Sequence, residues 1–197
     1  NYLERSNSSL VEMVRFFMNQ NKQEEAFYLY NHQELYNRIL HSSKPIILFG
    51  VSFALLDFAK TYTLDLPITI IETGGMKGRK KEMTKEEVYA ELKSSFPKAT
   101  IRSEYGMTEL LSQAYSDERM KYTAPPWMKV LPRDDTDPLT SNYTDRSAAL
   151  NIIDLANLNT CCFIATDDIG TIYPDGTFEV KGRLDQADIR GCSLMVV

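Results

Sequence analysis

In the stretch SEYGMTELLSQ, residues 103–113, a tyrosine, a glycine, a hydroxyl and a carboxylate fall close together. Tyr105 has a ring face to offer a planar base, and Gly106 lets backbone come close to a ligand. Thr108 can give its hydroxyl to a phosphate oxygen. Glu109 supplies hard oxygens of the kind that hold Mg2+ beside phosphates. The same residues also suit a plainer arrangement, an inward-packed tyrosine followed by a helix N-terminus that Thr108 and Glu109 cap. Spacing alone leaves both open.

Two further groups carry chemistry. In ATDDIGTIYPDGTFEVKGRLDQADIRG (165–191), Asp167 and Asp168 follow a strand-like run and can accept hydrogen bonds from a vicinal diol such as ribose. Arg183 can add a charge-assisted donor. A surface hairpin with turn aspartates reads the same way. In ETGGMKGRKKE (72–82), Gly74 and Gly75 can let an adenine-sized group press on the backbone. Lys77, Arg79, Lys80 and Lys81 either attract anions or simply form a solvated loop. His32 and His41 stand apart from any cysteine or carboxylate pattern, so they read as surface residues rather than metal ligands.

The elements that must position these groups follow from hydrophobic period. SSLVEMVRFFMNQ (8–20) predicts a serine-capped helix, and QELYNRILHSS (33–43) a second. KPIILFG then reads as a buried strand, VSFALLDFAKTY (51–62) as a helix, and LPITIIETGG (66–75) as a strand. TKEEVYAELKSSFP (84–97) carries a capping box of Thr84 with Glu87, and KATIRSEYG supplies a third strand. A helical pattern is expected to follow it. Strands alternating with helices specify an α/β fold, a parallel-sheet core with crossover helices. Gly50, Gly74-Gly75 and Gly106 each end a strand, and ligands of such sheets sit outside those ends. Any one of these glycines can equally just start a turn.

Past residue 117 the texture changes. WMKVL, ALNIIDLA, TCCFIAT, GTIYP and TFEVKGR read as strands, the last two joined by a Pro174-Asp175-Gly176 turn. The expected division is therefore 1–117, an α/β nucleotide-binding core, and 118–197, a smaller, mostly antiparallel β-unit packed beside it. Cys161 and Cys162 fall mid-strand on this reading, so at least one should be buried. Hydrophobic residues make up 43% of the 197, enough for a packed core, and the net charge of -5 argues against a primary role on nucleic acid. No apolar run reaches the roughly 20 residues of a membrane span, and the start lacks a signal-peptide pattern. Three cysteines, two of them adjacent, do not suggest a disulfide framework, so a reduced, cytoplasmic setting is the simplest expectation.

In this order, YGMTE, TDDIG and GRLDQ resemble the adenylate-forming superfamily of acyl and aryl acid ligases. ETGGMKGRKKE, APPW and RGCSLMV look most like the acyl-protein synthetases of bacterial luminescence systems, with the phenylacetate–CoA ligase branch a more distant likeness. The resemblance covers essentially the whole chain. It implies the C-terminal part of the large domain of such enzymes. It also implies ATP-dependent activation of a carboxylic acid, a fatty acid in the first instance, to acyl-AMP, then transfer to a thiol: an own cysteine, CoA or a partner protein. ATP/AMP and Mg2+ are the cofactors so implied. Residue by residue, Tyr105 would stack on adenine, Thr108 would contact the α-phosphate and Glu109 would bind Mg2+. Gly74, Gly75 and Gly106 would line the nucleotide, Asp168 and Arg183 would hold the ribose, and Asp185 would sit at a hinge. Asp167 stands where many members have glycine. Cys192, with Arg190 and Gly191 beside it, falls where the luminescence synthetases carry an acylated cysteine. Its plainer role is apolar packing beside Leu194 and Val196.

The chain departs from the pattern in lacking the Ser/Thr/Gly-rich phosphate loop and the C-terminal lobe with its lysine. It also has no initiator Met. The expectation is a portion of a longer enzyme, unable to adenylate an acid by itself, with a nucleotide-binding remnant as the non-catalytic alternative.

Overall fold

A computed structural model describes residues 8–22, 26–28, 30–74, 83–134, 137 and 146–184. They fall into two compact units that divide between Ile46 and Ile47, not at 117. The smaller unit holds helices α1 (Ser9–Gln20) and α2 (His32–Leu40). Ser8 caps α1 by accepting from the Val11 amide at 3.4 Å, and Asn31 caps α2 by accepting from Glu34 N at 3.2 Å. His32 is half-buried and His41 exposed.

The larger unit is built on one nine-stranded sheet of order β1-β2-β3-β4-β5-β9-β8-β7-β6. Strands β1 (Ile47–Gly50), β2 (Thr69–Glu72) and β3 (Thr100–Tyr105) are parallel, joined through helices α3 (Ser52–Thr61) and α4 (Lys85–Ser95). The predicted Thr84–Glu87 capping box starts α4. The two helices pack together through Phe58 and Phe96, whose ring centroids lie 5.8 Å apart. Leu92 of α4 is fully buried, as are Leu64, Ile70 and Ile101.

The remaining strands are antiparallel: β4 (Ala114–Ser116), β5 (Tyr122–Thr123), β6 (Met128–Arg133), β7 (Ser147–Asp154), β8 (Phe163–Ile172) and β9 (Phe178–Arg183). The β-rich half is thus hydrogen-bonded into the same sheet rather than stacked beside it. The link is β4, a strand that stands where a helical pattern was expected. Its Ala114 and Ser116 are buried while Tyr115 is half-exposed, a period of two set by pairing with β3. TCCFIAT and GTIYP are likewise one continuous strand, and Cys161 and Cys162 precede it. Cys161 is exposed and Cys162 only partly covered, so neither is a core residue. None of the described helices is long and apolar enough to cross a membrane.

Strand β8 is irregular on both edges. Three of its residues, Thr166 to Asp168, lie between the rungs Ala149↔Ile169 and Asn151↔Ala165, opposite the single residue Leu150. On the other side Lys181 of β9 is extra between the rungs at Ile169 and Gly170. Gly170 is required here, because a Cβ on it would stand 2.0 Å from the Glu179 carbonyl oxygen and 3.0 Å from Leu150 Cδ1. Backbone cannot yield as a side-chain tip can. Gly170→Ala is expected to destabilise the protein by about 2 kcal/mol or more in denaturant unfolding. Gly182→Ala, whose Cβ would meet nothing within 4 Å, should stay within about 0.5 kcal/mol of wild type.

Candidate functional site

The three parallel strands deliver their C-terminal ends to one edge, where Gly50 pairs with Glu72 and Glu72 with Ser103. Gly74 follows β2 in open space, with nothing within 4 Å of where its Cβ would be. Next to it, Thr73 Oγ1 donates to Glu104 Oε1 at 3.3 Å, which ties the end of β2 to the end of β3. Gly106 follows β3 directly. Gly75, Lys77, Arg79, Lys80, Lys81, Asp185, Arg190 and Cys192 lie outside the described residues.

Tyr105, Asp168 and Arg183 come together across the sheet. The bulge of β8 accomplishes this: Thr166 Oγ1 donates to the Leu150 carbonyl at 2.7 Å and accepts from Asp168 N at 3.1 Å. Arg133 Nη2 holds the Thr166 carbonyl at 2.6 Å. A bulge of this kind re-aims side chains, and here Asp168 accepts from the Tyr105 hydroxyl at 2.7 Å. Arg183 pairs with Asp168 in register, its Nε 3.6 Å from Asp168 Oδ1 and its Nη2 3.3 Å from Asp167 Oδ2. The Asp168 side chain keeps 15% of its surface exposed, Asp167 48% and Arg183 35%, so the cluster opens to solvent on the arginine side.

The Tyr105 ring itself is only 7% exposed. It meets Tyr122 and Phe178 edge-on, at 60° and 81° between ring planes. Burial, and then the Asp168 charge, push its phenol far above the ordinary range. At neutral pH it is therefore a fixed donor.

Thr108 and Glu109 occupy the two central positions of a tight turn closed by Leu110 N donating to the Met107 carbonyl at 3.1 Å. Both are exposed, while Leu110 and Ser112 beyond them are buried. The expected helix N-terminus is replaced by a loop, because Ala114 must pair with Tyr105. Among the described residues no group of three or more His, Cys, Asp or Glu is placed to hold a metal by itself. Glu109 is a single exposed carboxylate, a side chain that could supply one hard oxygen donor to an ion completed by other ligands.

Behind this edge lies a buried polar network with no signature in the sequence. Glu72 accepts from the Ser52 hydroxyl and from Ser103 Oγ at 2.8 Å. Tyr89 OH lies 3.0 Å from both Ser103 Oγ and Ser116 Oγ, and Ser116 Oγ accepts from Ser103 N at 2.8 Å. Each partner sits on a different element, so no local pattern could expose the set.

Glu104 is a partly buried carboxyl at this edge. Burial raises its carboxyl above the ordinary 4.5, against the Tyr115 and Thr73 hydroxyls that pull it down. A carboxyl raised by folding binds a proton more tightly in the native state. Below the unfolded value both states are protonated and nothing is lost; as pH climbs through the raised native value, stability falls. Glu104→Gln removes this dependence. Thermal melts from about pH 4 to about pH 7 should show the variant gaining on wild type as pH rises. A constant difference across that range contradicts the assignment.

The acyl-protein synthetase family, LuxE, matches residues 7–197. The long-chain-fatty-acid–luciferin-component ligase of Vibrio harveyi is 25% identical over 177 residues, covering 80% of this chain and 46% of the relative. The chain thus spans about half the length of that relative. Among solved structures, the luciferase-like enzyme of the mealworm Zophobas morio is similar with a TM-score of 0.55 at 16% identity, over 78% of this chain and 40% of that one. The N-terminal subdomain of NpsA from Klebsiella oxytoca, in complex with 3-hydroxybenzoyl-AMSN, gives 0.55 at 16%, over 81% and 46%. A benzoate CoA ligase from Burkholderia xenovorans gives 0.51 at 16%, over 77% and 34%. These likenesses establish a shared fold, and the family match over nearly the whole length does more: this chain belongs to the LuxE family of acyl-protein synthetases.

Proposed function

We propose that this chain forms the nucleotide-holding part of an enzyme that activates a carboxylic acid, a fatty acid in the first instance, with ATP and passes the acyl group to a thiol. The single observation that supports this most is the convergence of Tyr105, Asp168 and Arg183, residues from β3, β8 and β9 that are distant in sequence. A ribose diol can donate to the Asp168 carboxylate, while Arg183 beside it limits the repulsion between that carboxylate and an anionic ligand. Gly74 and Gly75 would let the adenine lie along the end of β2, with Tyr105 and Gly106 closing the nucleoside end. Thr108, at the tip of its turn, would donate to the α-phosphate.

In the first half-reaction a carboxylate oxygen of the acid attacks the α-phosphorus. The bond from that phosphorus to the bridging oxygen breaks, and pyrophosphate leaves. In the second, a thiolate attacks the acyl carbon, the acyl–oxygen bond breaks, AMP leaves, and the thiol proton goes to solvent. Glu109 would hold Mg2+, whose charge would offset that of the phosphates. The chain's own residues bind and orient, and Thr108 stabilises charge at the α-phosphate. Cys192 is the proposed first acceptor. A thiol attacks well through a modest thiolate fraction, and the guanidinium of Arg190, two residues away in sequence, would favour the thiolate if it lay near.

Calorimetric titration of the full-length protein with AMP and ATP tests the binding half. Wild type should bind both, and Asp168→Ala should weaken AMP by roughly tenfold, about 1.4 kcal/mol. No heat of binding up to millimolar nucleotide overturns the reading. The transfer half is tested with ATP and a radiolabelled fatty acid. Label should attach to wild-type protein and be lost in Cys192→Ser, and label that survives the substitution unchanged removes Cys192 as acceptor.

A further inference from the structure

Asp154, at the end of β7, is a fully buried carboxylate, with no salt bridge to it among the described residues. It accepts four hydrogen bonds. Oδ2 takes the Leu111 and Ser112 amides, both at 3.0 Å. Oδ1 takes the Ser112 hydroxyl at 2.6 Å and the Ala156 amide at 3.1 Å. Three of the four come from the loop that carries Thr108 and Glu109. Just beyond Asp154, Asn157 donates its side-chain amide to the Glu109 carbonyl at 2.8 Å and to the Cys161 carbonyl, also at 2.8 Å. Trp127 completes the ring, with Nε1 donating to Ser112 Oγ at 2.9 Å and its carbonyl accepting from Leu155 N at 3.0 Å.

The loop needs such a hold. A connection between paired antiparallel strands is usually 2–5 residues, whereas this one runs from Gly106 to Gln113. Within it, the turn from Met107 to Leu110 displays Thr108 and Glu109. Left to itself it would sample many arrangements of those two side chains, and each bound nucleotide would bear the entropy of fixing them.

We propose that Asp154 and Asn157 are positioning residues that latch the loop from behind, so that Thr108 and Glu109 are pre-arranged for phosphate and magnesium. The proposal rests on the reading of Thr108 and Glu109 given above. It extends that reading to the end of β7 and the 3-10 turn after it, to two residues that are distant from the loop in sequence and touch no ligand themselves. Asp154 fixes the loop's exit at Leu111 and Ser112. Asn157 grips the backbone of Glu109 directly, which fixes the point from which its side chain leaves the loop.

The test uses the full-length protein with two variants. Asp154→Asn keeps size but replaces one acceptor oxygen by a donor, which cannot accept an amide. Asn157→Asp replaces the donor to the Glu109 carbonyl by a second acceptor. The first readout is hydrogen exchange, by mass spectrometry, in peptides covering 106–113 and, as reference, β2 and β3. Exchange in the loop should quicken by about tenfold or more while the strands stay unchanged. The second is nucleotide affinity. ATP with Mg2+ should bind roughly tenfold more weakly in both variants, while AMP without Mg2+, which depends on Thr108 but not on Glu109, should lose clearly less. Loop exchange at the wild-type rate, or equal losses of AMP and of Mg2+–ATP affinity, overturns the proposal. Wild-type protein that binds no nucleotide at all counts against the parent reading, and the loop's exchange rates then decide whether the latch exists.

Discussion

Between strands β1 to β5 and strands β9 to β6 the sheet is joined at one thin seam. Strand β5 has two residues and meets β9 at a single rung, Tyr122↔Phe178. So little backbone pairing cannot hold two halves of a sheet in register, and aromatic packing supplies what the ladder lacks. Tyr122 and Phe178 stack with centroids 5.4 Å apart, and Tyr105 abuts both at 5.8 and 5.5 Å. Such pairs contribute about 0.5–1.5 kcal/mol each beyond the area they bury. Tyr122 and Phe178 are essentially inaccessible to solvent. The site inherits this constraint, because the hydroxyl of Tyr105 reaches out of the cluster to Asp168. Were the seam to slip by one residue, every side chain on the moved strand would change faces. Asp168 and Arg183 would then part from the end of β3.

Strand β3 is the second requirement, being the strand at which direction switches. Its alternation is read by different partners on its two faces: Ile101, Ser103 and Tyr105 are buried, while Thr100, Arg102 and Glu104 are half-exposed. Ser103 is the pivot of the polar network, bonded to Glu72, Tyr89 and Ser116. Replacing such a network with apolar groups of the same shape need not lower stability. Its value lies in specificity, since hydroxyls and a carboxylate with fixed partners tolerate only one register of β2, β3, β4 and α4. Gly74 and Tyr105 stand at the ends of strands whose register is set in this way.

Much of this was legible in the residues. Periods of 3.6 and 2 locate α1 to α4 and β1 to β3, and Thr84 with Glu87 marks the start of α4, because those signals are local. The three motifs that converge on Tyr105, Asp168 and Arg183 were visible as candidates from their chemistry, although only the fold could show that they touch. What escaped depends on partners far along the chain. AYS is too short to show a period, so β4 became a strand only through pairing with β3. Asp167 and Asp168 resemble the end of a strand because a bulge looks locally like a break; the hydroxyl of Thr166 and the guanidinium of Arg133 hold it inside β8. Cys161 looks apolar and strand-like, yet the 3-10 turn Leu155–Asn157 and the residues after it delay β8 until Phe163. Asp154 reads as an ordinary polar residue closing an apolar run. Nothing near it announces that Ser112 is its partner.

Three carboxylates behind the candidate site are stabilised in three ways, and the differences bear on how charge is managed there. Glu72 relies on serine hydroxyls, with the Lys85 ammonium close enough to interact. Glu104 relies on a threonine and a phenol, and its burial still raises its affinity for a proton. Asp154 relies mainly on backbone amides. Amides are fixed dipoles with no net charge, and they cannot swing away. A lysine or arginine at that place could neutralise Asp154 as well in the free protein. It would also be drawn towards the phosphates of an arriving nucleotide, since a unit charge at short range in a partly desolvated site feels several kcal/mol of attraction, roughly 4 kcal/mol at 4 Å in a medium of intermediate dielectric. The loop would then be released at the moment its geometry mattered. With amides and a serine as donors, the proposed latch would offer arriving phosphates no mobile cation to recruit, so binding of an anion would not by that route pull the turn that displays Thr108 and Glu109 out of shape.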